Sequence, residues 1–187
     1  MKVAVSLICL LGVIAAVLPA SAKKIWPAQG GSGDISNAIE CEKKDEYMVG
    51  IFGRAGAWID RIGPICAPVL PSGAMGHHSH SGGLGHGGSG GGPASAECSS
   101  GLIRGITYRL TGDHRMVLTV HFTCWDAKTQ ALIQPLQNHD FGGNGSRVAP
   151  AIENPCPDGE AARGLETRWG KHVNAIGLRC DTLKVPK

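Results

Sequence analysis

Cysteine is the residue type in this sequence whose number and spacing point most directly to chemistry. Of seven cysteines, Cys9 lies in an N-terminal apolar stretch, and the rest fall as Cys41/Cys66, Cys98/Cys124 and Cys156/Cys180 in windows of nearly equal length. None of these couples has the CxxC-like spacing of a zinc site. An even set in an exported chain reads as disulfides, and a unit that recurs with two cysteines each time predicts that each window is closed by its own pair. Histidine forms a second cluster: His77, His78, His80 and His86 stand in a segment, 72–93, made almost wholly of Gly, Ser and His. Imidazoles at that density could hold Zn²⁺, Cu²⁺ or Ni²⁺ weakly, but ligands that must first be ordered lose entropy on chelation. We expect a mobile, solvated loop there, with no metal and no cofactor. The carboxylates Asp45, Glu46, Asp158 and Glu160 have no spacing that fixes a catalytic pair. Neither HExxH nor Gly-x-Ser-x-Gly occurs, so the expected class is not an enzyme.

The elements that must position these groups begin after residue 22. Lys2, the apolar run Val3 to Val17 and the small-x-small pattern Ala20-Ser21-Ala22 read as a cleavable signal peptide over 1–22. That run is too short to span a bilayer and no later segment comes close, so no membrane span is expected. The predicted destination is extracellular, or periplasmic in a bacterium. Residues 23–187 have the length of one domain with a real core. A net charge of +3 for the whole chain, without a basic stripe carrying interleaved aromatics, argues against nucleic acid as a partner.

Self-similarity organises the domain. Three glycine clusters, Gly30-Gly31-Ser32-Gly33, Gly87-Gly88-Ser89-Gly90 and Gly142-Gly143-Asn144-Gly145, each precede a cysteine window. Between cysteines, Gly50-Ile51-x-x-Arg54-x-Gly56-x-x-Ile59-Asp60-x-Ile62-Gly63-x-x-Cys66 aligns without gaps on Gly164-Leu165-x-x-Arg168-x-Gly170-x-x-Val173-Asn174-x-Ile176-Gly177-x-x-Cys180. The middle copy keeps Gly105-Ile106-x-x-Arg109 and carries three extra residues around Thr111 to His114, which lengthen a turn. Alternation through Met116 to Phe122 is strand periodicity, and Gly and Pro interrupt any helical pattern. The reading is an all-β domain of three antiparallel repeats, about 30–70, 87–130 and 142–187. Arg54, Arg109 and Arg168 recur in every copy and are expected to serve the scaffold.

The Gly-Gly-x-Gly clusters followed by Gly-Arg-x-Gly-x-x-Ile-Asp-x-Ile-Gly resemble the jacalin-related lectins, whose binding loop has the form Gly-x-x-x-Asp. The cysteine framing, with Cys156-Pro157-Asp158-Gly159 running to Gly164 and Gly112-Asp113 running to Cys124, resembles the vitelline membrane outer layer protein family. Both resemblances imply one architecture: a β-prism I-like fold of three antiparallel Greek-key sheets with pseudo-threefold symmetry. The β-trefoil is the other three-repeat option, but its Gln-x-Trp signature is absent. The lectin resemblance implies a carbohydrate site at Gly56, Ala57, Trp58 and Asp60, and a second at Gly170, Lys171, His172 and Asn174. Such loops suit sugars because backbone amides reach hydroxyl oxygens where no side chain intervenes, while a carboxylate accepts from two hydroxyls and an indole stacks on the apolar sugar face. The plain alternative is a turn in which Asp60 bonds its own backbone and Trp58 packs in the core. The expected function is a secreted carbohydrate-binding protein with glycans or glycoconjugates as partners. The competing reading is a structural protein of an extracellular coat, with the same prism and no sugar site.

Overall fold

The computed structural model describes residues 25–133, 138–143 and 148–187; residues 1–22, read above as a signal peptide, lie outside them. Each cysteine window is a long hairpin: β3 (Glu46–Ala55) with β4 (Ile59–Pro68), β8 (Leu102–Leu110) with β9 (Val117–Trp125), and β12 (Glu160–Trp169) with β13 (Val173–Thr182). Shorter strands flank these hairpins: β1 (Gln29–Gly30), β2 (Ile35–Glu40), β5 (Ser79–His80), β6 (His86–Gly87), β7 (Gly92–Glu97), β10 (Asn138–Gly142) and β11 (Ile152–Pro155). They form three antiparallel sheets. The first is ordered β1-β13-β12-β2; the second is β5-β4-β3-β7, with β6 also on β4; the third is β10-β9-β8-β11. In the first two sheets a glycine cluster joins a strand on one edge of the central hairpin, β1 or β6, across the hairpin turn to a strand on the other edge, β2 or β7, which is a Greek-key connection. Among the described residues the elements are all strands, and no helix is long and apolar enough to cross a membrane.

The inner faces meet in one core. Ile39, Leu165, Ile176 and Leu178 from the first sheet, Ile51, Ile59 and Ile62 from the second, and Ile106, Val120 and Phe122 from the third belong to a single buried cluster. At about 25 cal/mol per Å² of apolar surface removed from water, fully burying each such side chain contributes roughly 1.5 to 3 kcal/mol. The three predicted disulfides are present: Cys41–Cys66, Cys98–Cys124 and Cys156–Cys180.

Their placement redraws the repeat. Cys41 follows β2 of the first sheet and Cys66 lies on β4 of the second; Cys98 follows β7 of the second and Cys124 lies on β9 of the third; Cys156 follows β11 of the third and Cys180 lies on β13 of the first. Each bridge therefore joins two sheets, and together they close a ring around the core. The sheet unit is a cysteine window plus the glycine cluster after it, because β7 pairs with β3, and β11 with β8. The first glycine cluster belongs to the last hairpin, as β1 pairs with β13 and β2 with β12. The first and last of the described strands thus lie in one sheet.

The Gly/His segment also departs from expectation. Its composition predicts a loop, but β5 and β6 within it pair with β4 at Ile65↔His80 and Ile62↔His86. The cause is a covered outer face: Val49, Phe52, Ile65 and Ala67 are buried with Met75 packed on them, and His80 stacks parallel on the Phe52 ring at 4.1 Å. Ser81 is buried too. The Gly82–Gly85 turn, with Leu84 at 76% exposed, and the exposed stretch 89–91 keep the solvated character that the composition suggests. The four histidines are not gathered. His78 is 2.9 Å from a Glu97 carboxylate oxygen, His86 is 2.8 Å from the Thr167 hydroxyl, and His77 is exposed. Burial lowers the His86 pKa from its ordinary value of 6.5.

Candidate functional site

All three hairpin turns lie at one end of the prism, and there each glycine cluster crosses its own sheet. Gly30, Gly87 and Gly142 hold φ of +139°, +133° and +136°. A Cβ at these positions would stand 2.4, 2.1 and 2.4 Å from the carbonyl oxygens of Asn174, Asp60 and Leu118 respectively. The next amides, of Gly31, Gly88 and Gly143, donate to those same carbonyls at 2.9, 2.8 and 2.8 Å. Asp60, Asn174 and Leu118 are thereby shown to be equivalent positions. This explains the glycine clusters physically: the chain passes too close to the hairpin for any side chain.

The recurring arginines brace this crossing. Arg54 donates from Nε to the Gly90 carbonyl at 2.7 Å and from Nη2 to the Gly91 carbonyl. Arg168 donates to the carbonyls of Ala28 and Gly30 at 2.9 and 3.3 Å. Arg109 is exposed. The expected scaffold role therefore takes the form of a carbonyl clamp on the glycine loop in two copies.

At the first candidate site, the Gly56 amide donates to the Trp58 carbonyl at 2.9 Å, closing a tight turn whose exposed tip is Ala57. Asp60 is the second residue of the return strand β4, with a side chain only 5% exposed. Glycines surround its carboxylate. A Cβ added at Gly90 would lie 2.3 Å from Oδ1, one at Gly91 2.6 Å from Oδ2, and one at Gly56 3.9 Å from Oδ2. His172, from the hairpin of the first sheet, lies against it with Nδ1 2.9 Å from Asp60 Oδ1. The same Nδ1 is 3.1 Å from the Trp58 indole nitrogen, and the two rings meet edge to face with centroids 5.5 Å apart. Trp58 is half-buried.

At the second candidate site, the Gly170 amide donates to the His172 carbonyl at 3.1 Å, and Lys171 is exposed at the tip. Asn174 Nδ2 donates to the Arg115 carbonyl at 3.0 Å, so its amide is tied to the hairpin of the third sheet. Sequence reasoning missed an acid here. Asp34, exposed and next after Gly33 in the first glycine cluster, has its Oδ2 where a Cβ on Gly170 would come within 2.8 Å. Its adjacency to the cluster was visible in the sequence; its apposition to a turn more than a hundred residues away was not.

The middle copy has Leu118, 2% exposed, in the acceptor position. Its longer turn closes from the Thr111 amide to the Met116 carbonyl at 2.9 Å. Asp113 there is held below its ordinary pKa by hydrogen bonds from the Thr111 hydroxyl and the Arg115 amide. The structure thus brings Gly56, Trp58, Asp60 and His172 together, and it sets Asn174 apart from them. The turns also interlock across sheets, since a Cβ on Gly88 would strike the Lys171 carbonyl at 2.2 Å, one on Gly31 the Arg115 carbonyl at 2.4 Å, and one on Gly143 the Ala57 carbonyl at 2.2 Å. Two shallow clefts of about 300 and 340 Å³ lie elsewhere, one lined by residues including His121, Trp125 and Glu153, the other by Phe52, His80 and Ser95 among others.

Comparison with solved structures gives matches over most of the chain. Malaysian banana lectin is 16% identical with a TM-score of 0.57, covering 86% of this chain and 99% of the lectin. A mannose-binding jacalin-related lectin from Ananas comosus is 15% identical with a TM-score of 0.54, covering 86% and 98%. Artocarpin, solved with mannotriose, is 14% identical with a TM-score of 0.53, covering 84% and 95%. No family model matches the sequence, and no curated protein matches it. The fold is therefore the β-prism seen in the jacalin-related lectins, and not a β-trefoil.

Proposed function

We propose that this chain is a secreted carbohydrate-binding protein whose site lies where the Gly56–Asp60 turn, the Gly87–Gly91 loop and the Gly170–Asn174 turn meet. The observation that carries the reading is the carboxylate of Asp60 held among Gly56, Gly90 and Gly91 at the loop-bearing end of the prism. Open glycine backbone beside a fixed acid and its histidine partner offers amide donors and hydrogen-bond acceptors to sugar hydroxyls, with Trp58 at the edge of the site. Structural neighbours of the same fold bind mannose or mannotriose, which makes mannosides the first ligands to try. We infer a binding role rather than a catalytic one. We also infer export with loss of residues 1–22; three disulfides suit an oxidising compartment.

A glycan array that includes mannosides, followed by calorimetric titration with the best ligand, tests the reading. Asp60→Ala should abolish binding while circular dichroism stays unchanged. A hydrogen bond involving a charged group is worth roughly 1.5 to 3 kcal/mol, a large part of the ~4 kcal/mol that holds a ligand at millimolar affinity. Full affinity in folded Asp60→Ala would remove the site assignment. A second reading, a structural brick of an extracellular coat, is favoured by the low exposure of Asp60 and by the covalent ring through all three sheets. An array on which the folded protein binds no glycan would support it.

A further inference from the structure

We infer that the group at this site which accepts a ligand hydroxyl is the Nε2 of His172, and that Asp60 is the positioning residue that sets the His172 tautomer. The inference rests on the carbohydrate reading and changes which side chain touches the ligand. Nδ1 of His172 faces two neighbours that make opposite demands: the Asp60 carboxylate needs a donor, and the Trp58 indole N–H needs an acceptor. A neutral imidazole nitrogen can satisfy one of them.

Burial decides between them. Asp60 is 5% exposed, its oxygens are walled by Gly90 and Gly91, and among the described contacts the only donor to its carboxylate is His172. A buried carboxylate left there without a donor is far more costly than an unpaired N–H on the half-buried Trp58 indole, because the carboxylate carries a full charge and the indole does not. The proton therefore sits on Nδ1 and donates to Asp60, as in any carboxylate-oriented imidazole. Nε2 then carries the lone pair, on a ring that is 27% exposed between the Trp58 and Lys171 turns. In this geometry Asp60 itself has little surface to offer two hydroxyls. The site spans two sheets, because His172 comes from the hairpin of the first sheet and Asp60 from that of the second.

The test combines imidazole spectroscopy with binding. In ¹⁵N-labelled protein at neutral pH, two-bond ¹H–¹⁵N correlations should show His172 protonated on Nδ1, and methyl α-mannoside or mannotriose should shift its Nε2 resonance. Asp60→Asn keeps an oxygen that can accept from Nδ1, so the tautomer should persist and affinity should stay within about threefold. His172→Ala should lose about tenfold or more, one ligand hydrogen bond, with His172→Gln recovering part of it through an amide near the Nε2 position. An Nε2-protonated tautomer in the wild type, or an imidazolium protonated on both nitrogens, whose Nε2 could only donate, overturns the inference. So does unchanged affinity in His172→Ala beside a large loss in Asp60→Asn, which would leave Asp60 as the direct anchor and the carbohydrate reading intact. Failure of the folded wild type to bind either probe or any arrayed glycan overturns both, and is recognised by a tautomer signal that no sugar moves.

Discussion

At the scale of single residues, the repeat motif is mostly a record of scaffold needs. Gly50 and Gly164 occur because a Cβ would come within 2.6 and 2.5 Å of the Ala96 and Ile39 carbonyls on the neighbouring strand. Ile51, Ile59 and Ile62 fill the core, and Arg54 clamps the glycine loop. Only the turn residues and Asp60 remain for a ligand. The crossing glycine gives a sharp comparison. Gly87→Ala combines a φ of +133° with a Cβ 2.1 Å from the Asp60 carbonyl, whereas Gly83→Ala has a φ of +64° and open space around it. The first should cost about 3 kcal/mol or more, a fall in melting temperature of about 6–12 °C. The second should cost about 1 kcal/mol, or about 2–4 °C. Thermal denaturation of both variants checks this; equal losses would mean that the loop does not cross as closely as described.

At the scale of elements, the Gly/His segment is the instructive case. Low apolar content and many glycines predict a mobile loop, and on that reading excising Gly76 to Gly90 would hardly matter. In the structure the excision removes β5 and β6 from the edge of β4, takes His80 from the Phe52 ring, and deletes Gly87 and Gly88 from the crossing over Asp60. The expected result is a fall in melting temperature of more than about 10 °C, beyond the ~1 kcal/mol that a solvated loop of this length would account for. Leu84→Ser at the exposed turn should leave the melting temperature unchanged within error and serves as the control. Composition misled because it describes what a segment can bury by itself. It is blind to an apolar outer face on β3 and β4 that needs a cover.

At the scale of the whole molecule, the disulfides form a cycle. Each joins a flanking strand's end in one sheet to the hairpin of the next, and each sheet contributes two of the six cysteines. The loops closed span sequence separations of 25, 26 and 24 residues. In the chain-entropy account each closure is worth about 3 kcal/mol. Replacing Cys98 and Cys124 together by alanine should therefore lower the melting temperature by about 6–12 °C, and either other pair should cost a similar amount. Non-reducing peptide mapping of the native protein should return the same three pairs; a different pairing would break the ring.

The pairing, the all-β class and the three-copy organisation were legible in the amino-acid order, because each depends on local spacing: two cysteines per window, apolar residues at strand period, glycines at fixed offsets. The Gly-x-x-x-Asp turn was legible for the same reason. Tertiary structure alone decided that the first glycine cluster belongs to the last hairpin, that the bridges run between sheets, and that Asp34 faces Gly170. It alone placed His172 on Asp60, 112 positions away. These are long-range appositions, created when three sheets close around one core, and no local pattern of residue types encodes which turn will lie against which.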